Sequence, residues 1–388
     1  MRIAFYAPLK SPDHPVPSGD RRVGRLLMQA LEHAGHEVAL ASSLRTYEPE
    51  GNPARQRELR DAGHAEAQAL IAGWRKRSAP PDLWFTYHVY YKAPDWIGPE
   101  VSRALGIPYV IAEGSFAPNR AGGAWAIGHE AAGAAIRAAA LVLCPTREDM
   151  ECVRPLAAPA AKVEWLPPFL DPLPYQSAAR DRAAHRQNLS VRHGLNSSVP
   201  WIVVVAMMRP GDKVASFRML AATLGRMTDI AWQVVIAGDG SARHEVESSF
   251  AAAAPGRACY LGEQSSAELA EVYAACDVCL WPAVNEAYGM AMLEAQAAGV
   301  PVVSRLVRGV PDVVCDGVTG LLAAAGDDDD FVRVARELLV HADKRVTFGQ
   351  AAAQFVGVER SLSSAASRLR TALDELKRGD RQVVAGRA

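Results

Sequence analysis

The most informative charged residues of the sequence are Glu286 and Glu294, which leave seven residues between them. An apolar run at 278–281 precedes the pair, and Gly299 and Pro301 follow it. This pattern predicts a strand, a loop that carries Glu286, and a helix that carries Glu294 and ends at Gly299. Because a helix rises about 1.5 Å per residue, the two carboxylates should lie about 12 Å apart along its axis. Such a pair can hold two ends of one polar ligand, while the helix N-terminus faces the negative charge of that ligand.

Two cations, Arg209 and Lys213, lie four positions apart in a glycine-containing loop after the apolar run 201–207. Arginine can bind a diphosphate through two parallel hydrogen bonds and lysine adds a point charge, so the pair suits a pyrophosphate. A solvated loop without a ligand is the alternative. The next predicted strand ends at Gly238 and Asp239, a tight turn at which the backbone can approach a neighbour closely. These loops all follow strands, and ligands of open parallel sheets bind at the carboxyl ends of strands.

Strand-like and amphipathic helix-like runs alternate along the chain, which predicts an α/β fold with parallel sheets and crossover helices. The 388 residues, 49% of them hydrophobic, exceed what one core usually serves, so two domains are expected. The strand-like runs lie near 2–7, 37–42, 82–87, 108–112, 140–144, 162–166, 201–205, 232–237, 258–261, 277–281 and 301–304. A proline-rich and then arginine-rich stretch interrupts the alternation. We therefore predict an N-terminal domain at 1–170, a linker with a short helix at 171–199, and a second domain at 200–357.

Composition excludes several classes of function. The net charge of −1 argues against a nucleic-acid partner, which usually requires a basic excess. A mild basic excess in the first half permits a peripheral membrane contact through the N-terminal domain. The first residues resemble a strand and no apolar run could span a bilayer, so we expect a cytoplasmic protein. Cys276 and Cys279 form a C-x-x-C without a second pair, and core packing is favoured over metal or redox chemistry.

From Leu261 to Leu322 the chain resembles the donor-binding domain of glycosyltransferase family 4, in the GT-B superfamily. The matching positions are Gly262, Glu268, Leu269, Tyr273, 276–278, Pro282, Glu286, Gly289, Glu294, Ala295, 298–303, 309–312 and 316–321. Arg209, Lys213 and the turn 238–240 look like upstream elements of the family, and Gly19 before a helix resembles its first loop. The resemblance implies two Rossmann-like domains whose parallel sheets face a central cleft, with a C-terminal helix at 358–388 that crosses back to the N-terminal domain.

The resemblance also implies roles for the residues of the donor side. Glu294 would accept hydrogen bonds from the ribose hydroxyls of a sugar nucleotide, and Glu286 would bind hydroxyls of the donor sugar. Arg209 and Lys213 would neutralise the diphosphate leaving group. Three backbone N–H groups would help them, those of Tyr288, Gly289 and Met290. The turn Gly238–Asp239 and the loop at Gly19 would border the substrates.

The chain departs from the family pattern in two places. Ala287 stands where the family usually has glycine, and its methyl group could change which sugar fits. Glu113 stands where the family often has a histidine after the fourth strand of the first domain. A carboxylate there could orient the acceptor or take its proton. His88, after the preceding strand, is a second catalytic candidate, although a lone histidine is more often structural. Arg21, Arg22 and Arg25 could contact an acceptor phosphate or form a solvated helix face.

These implications predict a retaining, metal-independent hexosyltransferase that takes a nucleoside-diphosphate sugar as its co-substrate and needs no cofactor. UDP- and GDP-sugars are the favoured donors, and the acceptor is a glycan, a glycolipid or a small molecule. One alternative is a sugar-nucleotide epimerase of the same architecture, which would act on the donor alone. A catalytically silent protein that binds nucleotide sugars is the other, motivated by Ala287 and Glu113.

Overall fold

The structure, a computed structural model, describes residues 1–16, 18–76 and 80–385. It divides into two compact units, Met1–Pro167 together with the segment from Leu362 onward, and Pro168–Ser361. A six-stranded parallel sheet with flanking helices lies in each unit, as the alternation of strand-like and helix-like runs predicts.

The strands are short and mostly buried. In chain order they are β1 (Arg2–Tyr6), β2 (Glu37–Ser42), β3 (Leu83–Val89), β4 (Tyr109–Gly114), β5 (Leu141–Cys144), β6 (Lys162–Trp165), β7 (Trp201–Val205), β8 (Gln233–Ala237), β9 (Ala258–Gly262), β10 (Val278–Leu280), β11 (Val302–Arg305) and β12 (Gly320–Ala323). Eleven of these follow the predicted runs within two residues, because strands covered on both faces have nearly continuous apolar sequences.

Helices connect the strands. In chain order they are α1 (Gly19–His33), α2 (Pro53–Lys76), α3 (Gly98–Leu105), α4 (Ala126–Ala138), α5 (Arg147–Val153), α6 (Leu173–Arg180), α7 (Arg182–His193), α8 (Asp212–Gly225), α9 (Arg243–Ala253), α10 (Ser266–Ala275), α11 (Met290–Ala297), α12 (Asp328–Val340), α13 (Ala342–Glu359) and α14 (Leu362–Ala385). The described part of the chain contains no helix that is both long enough and apolar enough to cross a membrane.

The first unit has the strand order β2-β1-β3-β4-β5-β6. The direction of strand addition therefore reverses between β1 and β3, and open parallel sheets bind ligands at such a switch point. Helix α1 begins at Ser18, whose hydroxyl accepts a hydrogen bond from the backbone N–H of Arg21 over 3.2 Å. Helix α14 packs on α1 in the same unit, and Arg370 Nε donates to the carbonyl of Ala34 over 3.1 Å.

The second unit has the strand order β12-β11-β10-β7-β8-β9. Numbered within the unit this is 3-2-1-4-5-6 read from β9, the order of dinucleotide-binding sheets, and its switch point lies between β7 and β10. Strand β12 is absent from the sequence prediction. A Cβ on Gly320 would lie 2.0 Å from the carbonyl oxygen of Val302, so this position of β12 requires glycine.

The predicted linker at 171–199 is wrong. The segment forms α6 and α7, and both pack against α10 of the second unit. Arg186 Nη1 lies 2.9 Å from the carboxylate of Asp277, and Arg182 Nη2 lies 2.7 Å from it. Asp277 also accepts the backbone N–H of Trp201 over 2.7 Å. The arginines that make the sequence look like a solvated linker therefore attach α7 to the start of the second sheet.

The C-x-x-C residues belong to the core, as predicted. Cys276 and Cys279 are buried free thiols, at the end of α10 and within β10. Burial raises the pKa of Cys279 to about 12, with a smaller contribution from the charge of Glu294. Both positions therefore serve packing in the protonated state.

Candidate functional site

The loops after β7 and β8 are interlocked at the edge of the second sheet. The backbone N–H of Met208 donates to the carbonyl of Asp239 over 2.8 Å. Gly238 has a φ of 136°, and a Cβ there would lie 2.0 Å from the carbonyl oxygen of Ala206. Asp239 accepts from the N–H of Gly240 over 2.7 Å, and this hydrogen bond lowers the pKa of its carboxyl. The turn at Gly238–Asp239 therefore fixes the course of the loop that carries the two predicted cations.

Arg209 and Lys213 have different surroundings at the start of α8. Arg209 is exposed, and its guanidinium makes no hydrogen bond or ion pair with the part of the chain that the structure describes. Lys213 lies in the first turn of α8, which follows Gly211 with its φ of 90°. One cation is thus available to an anionic ligand, whereas the other is already paired.

The partner of Lys213 is Glu286. The ammonium forms an ion pair with the carboxylate, and the two side chains are 21% and 18% exposed. Trp281 donates its indole N–H to the same carboxylate over 3.2 Å, and its ring lies 5.4 Å from the Lys213 ammonium. Because β7 and β10 are adjacent, the residues that follow them meet across the switch point. The structure therefore joins two predicted site residues that are 73 positions apart in sequence.

The loop 281–289 is held by α8. The backbone N–H of Val284 donates to Ser216 Oγ over 3.1 Å, and the Asn285 side chain donates to Asp212 over 3.1 Å. Asn285 has a φ of 50° and Ala283 has a φ of 59°, in the left-handed region that non-glycine residues rarely adopt. Such strain persists where surrounding contacts impose it, and it is common at functional sites.

Helix α11 begins directly after this loop. Its N-cap is Gly289, with a φ of 81°, and a Cβ there would lie 2.2 Å from the Met292 methyl carbon. The backbone N–H groups of Gly289 and Met290 donate no hydrogen bond to any described residue. Tyr288, just before them, is half-buried. The helix thus presents unused donors and the positive end of its dipole beside Glu286.

Glu294 lies on α11, and it is only 4% exposed. Tyr273 Oη of α10 donates to Glu294 Oε2 over 3.1 Å. Burial and the charge of Glu294 both raise the pKa of Tyr273 well above its usual value, so the phenol stays protonated and keeps donating. The carboxylate is therefore fixed from behind by a buried tyrosine, an interaction that links two helices.

A second cluster of ionisable residues lies at the switch point of the first unit. His88, at the end of β3, places Nδ1 3.1 Å from Asp20 Oδ1 and 3.6 Å from Glu113 Oε1. Asp20 lies in the first turn of α1, next to Gly19, and Glu113 lies at the end of β4. His88 and Glu113 have φ values of 63° and 64°, so both side chains are held on left-handed backbone. The structure thus brings His88, Glu113 and the Gly19 loop together.

The charges in this cluster shift one another's protonation. Burial alone would lower the pKa of His88, but Glu113, Asp20 and Asp149 together raise it. Burial works to raise the pKa of Asp20, but the hydrogen bond and charge of His88 lower it. The ring of Tyr90 lies 5.0 Å from the imidazole. A protonated His88 between carboxylates can hold or pass a proton at this edge of the sheet.

Two residues of these clusters were not among the predicted site residues. Asp20 stands next to Gly19 in the first turn of α1, and its sequence signal was an acid at the start of a predicted helix. Trp281 looked like the last residue of an apolar strand, and no sequence signal separates its indole N–H from a core side chain. Both depend on strands that become neighbours only in the folded sheet.

The fold and these loops first define a class of protein. Two doubly wound parallel sheets, one in each unit, are the architecture of GT-B glycosyltransferases. A sucrose-phosphate synthase from Thermosynechococcus elongatus matches with a TM-score of 0.77 and 19% identity, over 97% of this chain and 99% of that one. The Anabaena protein HepE, solved with UDP and glucose, matches with a TM-score of 0.70 and 16% identity, over 97% of this chain and all of that one. The GT-B fold class is confirmed.

The sequence of the second unit matches a known family. Residues 186–355 match the model of the glycosyl transferases group 1. A D-inositol 3-phosphate glycosyltransferase from Kribbella flavida is 29% identical over 253 residues, which cover 62% of this chain and 58% of that protein. The segment 186–355 is thus similar to the group 1 glycosyl transferases, and the resemblance seen at 261–322 is confirmed. Matched segments cover between 17% and 58% of the length of eight such relatives.

Proposed function

We propose that this protein transfers a hexose-type sugar from a nucleoside-diphosphate sugar to an acceptor bound by the first unit. The observation that carries the proposal is the pairing of Lys213 with Glu286 at the switch point of the second sheet, four positions along the chain from the exposed cation Arg209. A diphosphate needs cations and N–H donors, whereas a sugar needs carboxylates that accept from its hydroxyls. Both kinds of group are present around one loop.

Binding of the donor would change the contact between Lys213 and Glu286. Lys213 would turn from Glu286 to the diphosphate, where Arg209 and the N–H groups of Gly289 and Met290 would join it. Glu286, kept in place by the indole N–H of Trp281, would then accept from hydroxyls of the sugar. Breaking the sugar–phosphate bond places negative charge on the leaving diphosphate, and fixed donors stabilise that charge without reorganising.

Glu294 would bind the ribose of the donor. Its carboxylate has a fixed partner in Tyr273, which orients it toward two neighbouring hydroxyls of the ribose. The turn at Gly238–Asp239 would border the nucleotide, because it sets the course of the Arg209 loop. UDP and GDP are the nucleotides we favour, and HepE, a structural neighbour, was solved with UDP.

The first unit would supply the acceptor side. Glu113, or His88 in its neutral form, would orient the acceptor hydroxyl and take its proton as the new bond forms. We propose that the reaction retains the anomeric configuration and requires no metal, since Arg209 and Lys213 supply the charge that a divalent ion supplies elsewhere.

The test begins with a thermal-shift panel of UDP, GDP and ADP and their common sugar derivatives, since a ligand of the native state raises Tm. The donor found there is then incubated with an acceptor panel in EDTA, and the anomer of the product is read by NMR. Transfer in EDTA with retention supports the proposal. Transfer with inversion, or only with added metal, contradicts those parts of it. An epimerised donor without acceptor would instead favour the epimerase.

A further inference from the structure

The loop after β1 is surrounded by cations. Arg45 Nε donates to the carbonyl of Leu9 over 2.9 Å. Arg25 Nε donates to the carbonyl of Pro12 over 2.8 Å, and Arg21 Nε donates to the same carbonyl over 3.4 Å. Lys10 lies between these two anchored carbonyls. Three guanidinium groups therefore converge on a loop of four residues that carries a fourth cation.

These cations have donors left over. The ammonium of Lys10 makes no hydrogen bond or ion pair with the residues that the structure describes, and neither do the terminal nitrogens of Arg21 and Arg45. Burial lowers the pKa of Lys10, and the positive charges of Arg45 and Arg21 lower it further. The negative charge of Asp20 has the opposite effect. Cations that outnumber the nearby acid in this way repel one another, which destabilises the empty site and favours an anionic ligand.

The position of the loop indicates what the anion belongs to. It follows β1 at the switch point of the first sheet, and Asp20 links it to His88 and Glu113. We infer that Lys10, Arg21 and Arg45 bind a phosphate ester carried by the acceptor, so that an acceptor hydroxyl reaches the His88 cluster. This inference rests on the proposed function, because it names the chemistry of the acceptor.

The arrangement also suits phosphate chemically. Guanidinium groups bind phosphate oxygens through parallel hydrogen bonds, and an ammonium adds an unoriented charge. Arg21 and Arg45 use only Nε to bind the loop, which keeps their outer nitrogens available. The Arg25 interaction with Pro12 completes the loop anchor, so Arg25 would position the site.

The experiment measures binding to the full chain by calorimetry, with glucose 6-phosphate against glucose and inositol 1-phosphate against inositol. Vesicles of phosphatidylcholine with and without phosphatidylinositol test whether the phosphate sits on a lipid headgroup. UDP is titrated in parallel. The variants are Lys10→Gln and Arg45→Gln, with Arg103→Gln as the control. Arg103 is an exposed cation in the last turn of α3, before β4 and therefore at the opposite edge of the sheet.

A phosphorylated probe should bind, its unphosphorylated partner should bind more weakly, and Lys10→Gln and Arg45→Gln should each lower affinity about tenfold or more. Arg103→Gln should have no effect, and UDP affinity should be unchanged in all three variants. The probe that binds identifies a soluble or a lipid phosphate. The inference is overturned if both variants bind every probe like the wild type, or if they weaken UDP instead. If the wild type binds phosphate probes but no nucleotide sugar, the proposed function fails and the anion site stands.

Discussion

Lys213→Ala should separate the catalytic contribution of the Lys213–Glu286 pair from its contribution to stability. The two side chains are 21% and 18% exposed, so solvent screens the pair, and such pairs stabilise a fold by only about 0–1 kcal/mol. For a unit of this size that corresponds to a Tm change of about 4 °C or less. Glu286 keeps its hydrogen bond from Trp281 in the variant, so the loop should keep its position.

The effect on turnover should be much larger. One fixed donor directed at charge that develops in a transition state typically contributes about 100- to 1000-fold in kcat, or about 2.7–4 kcal/mol. The ground-state diphosphate keeps Arg209 and the helix N-terminus, so the KM for the donor should rise less than kcat falls. Initial rates over a range of donor concentrations give both constants, and thermal unfolding gives the stability.

The matched control is Lys344→Ala. Lys344 also forms an ion pair with a glutamate of the second unit, Glu337, but it lies on α13 away from the switch point. The Lys344→Ala variant should lose about as little stability as Lys213→Ala, but it should keep the kcat of the wild type. If Lys213→Ala retains kcat within about threefold of the wild type, the leaving-group role is refuted. A loss of activity explained by unfolding, with Lys344→Ala equally inactive, would refute it too.

Three further predictions concern binding, backbone and pH. Glu294→Ala should lower the affinity for UDP or GDP in calorimetry by about 10- to 100-fold, since it removes a charged acceptor, and unchanged affinity would remove the ribose role. Gly289→Ala should destabilise the protein in urea by about 1 kcal/mol more than Gly326→Ala, because the buried end of Met292 must move. Both glycines have φ near 80°, but only Gly289 has a methyl group in the way, so equal losses would contradict the account of that turn. Because the folded state raises the pKa of His88, protonation of this histidine adds to the free energy of unfolding. The contribution is complete below pH 6.5 and is lost as the pH rises through the pKa of the folded state. Because the folded state lowers the pKa of Asp20, ionisation of this acid stabilises the fold above pH 3.8, and that stabilisation is lost as the pH falls through the pKa of the folded state. Asp20→Asn should therefore reduce the pH dependence of the free energy of unfolding in both the His88 and the Asp20 ranges. An unaltered pH dependence would contradict the pairing.

The sequence was sufficient for the elements of the fold because its apolar runs are local. Buried strands such as β7 and β8 are continuous apolar runs. The linker prediction at 171–199 was wrong for a physical reason. The arginines of this stretch contact Asp277 instead of water, and Asp277 is brought next to them only in the folded sheet. The sequence could not reveal this ion pair, because residues about ninety positions apart form it.

The candidate site was predictable residue by residue but not as an arrangement. Glu286 and Lys213 could be named from their loops, whereas their direct pairing depends on β10 lying beside β7. The same holds for Asp20 and His88, which meet because β3 lies beside β1. In each unit the switch point of the sheet creates the contact, and strand order is a property of the whole fold.

The most direct test of the central claim is a calorimetric titration of the donor identified in the nucleotide panel. It compares the wild type with Arg209→Gln and with Arg257→Gln. Arg257 is a cation of the same unit whose guanidinium bonds the carbonyls of Thr228 and Ile230 away from the switch point. We expect the wild type and Arg257→Gln to bind alike and Arg209→Gln to bind about tenfold or more weakly. Equal affinity in all three proteins, or no binding of any nucleotide sugar to the wild type, would contradict a donor site at the switch point of the second sheet.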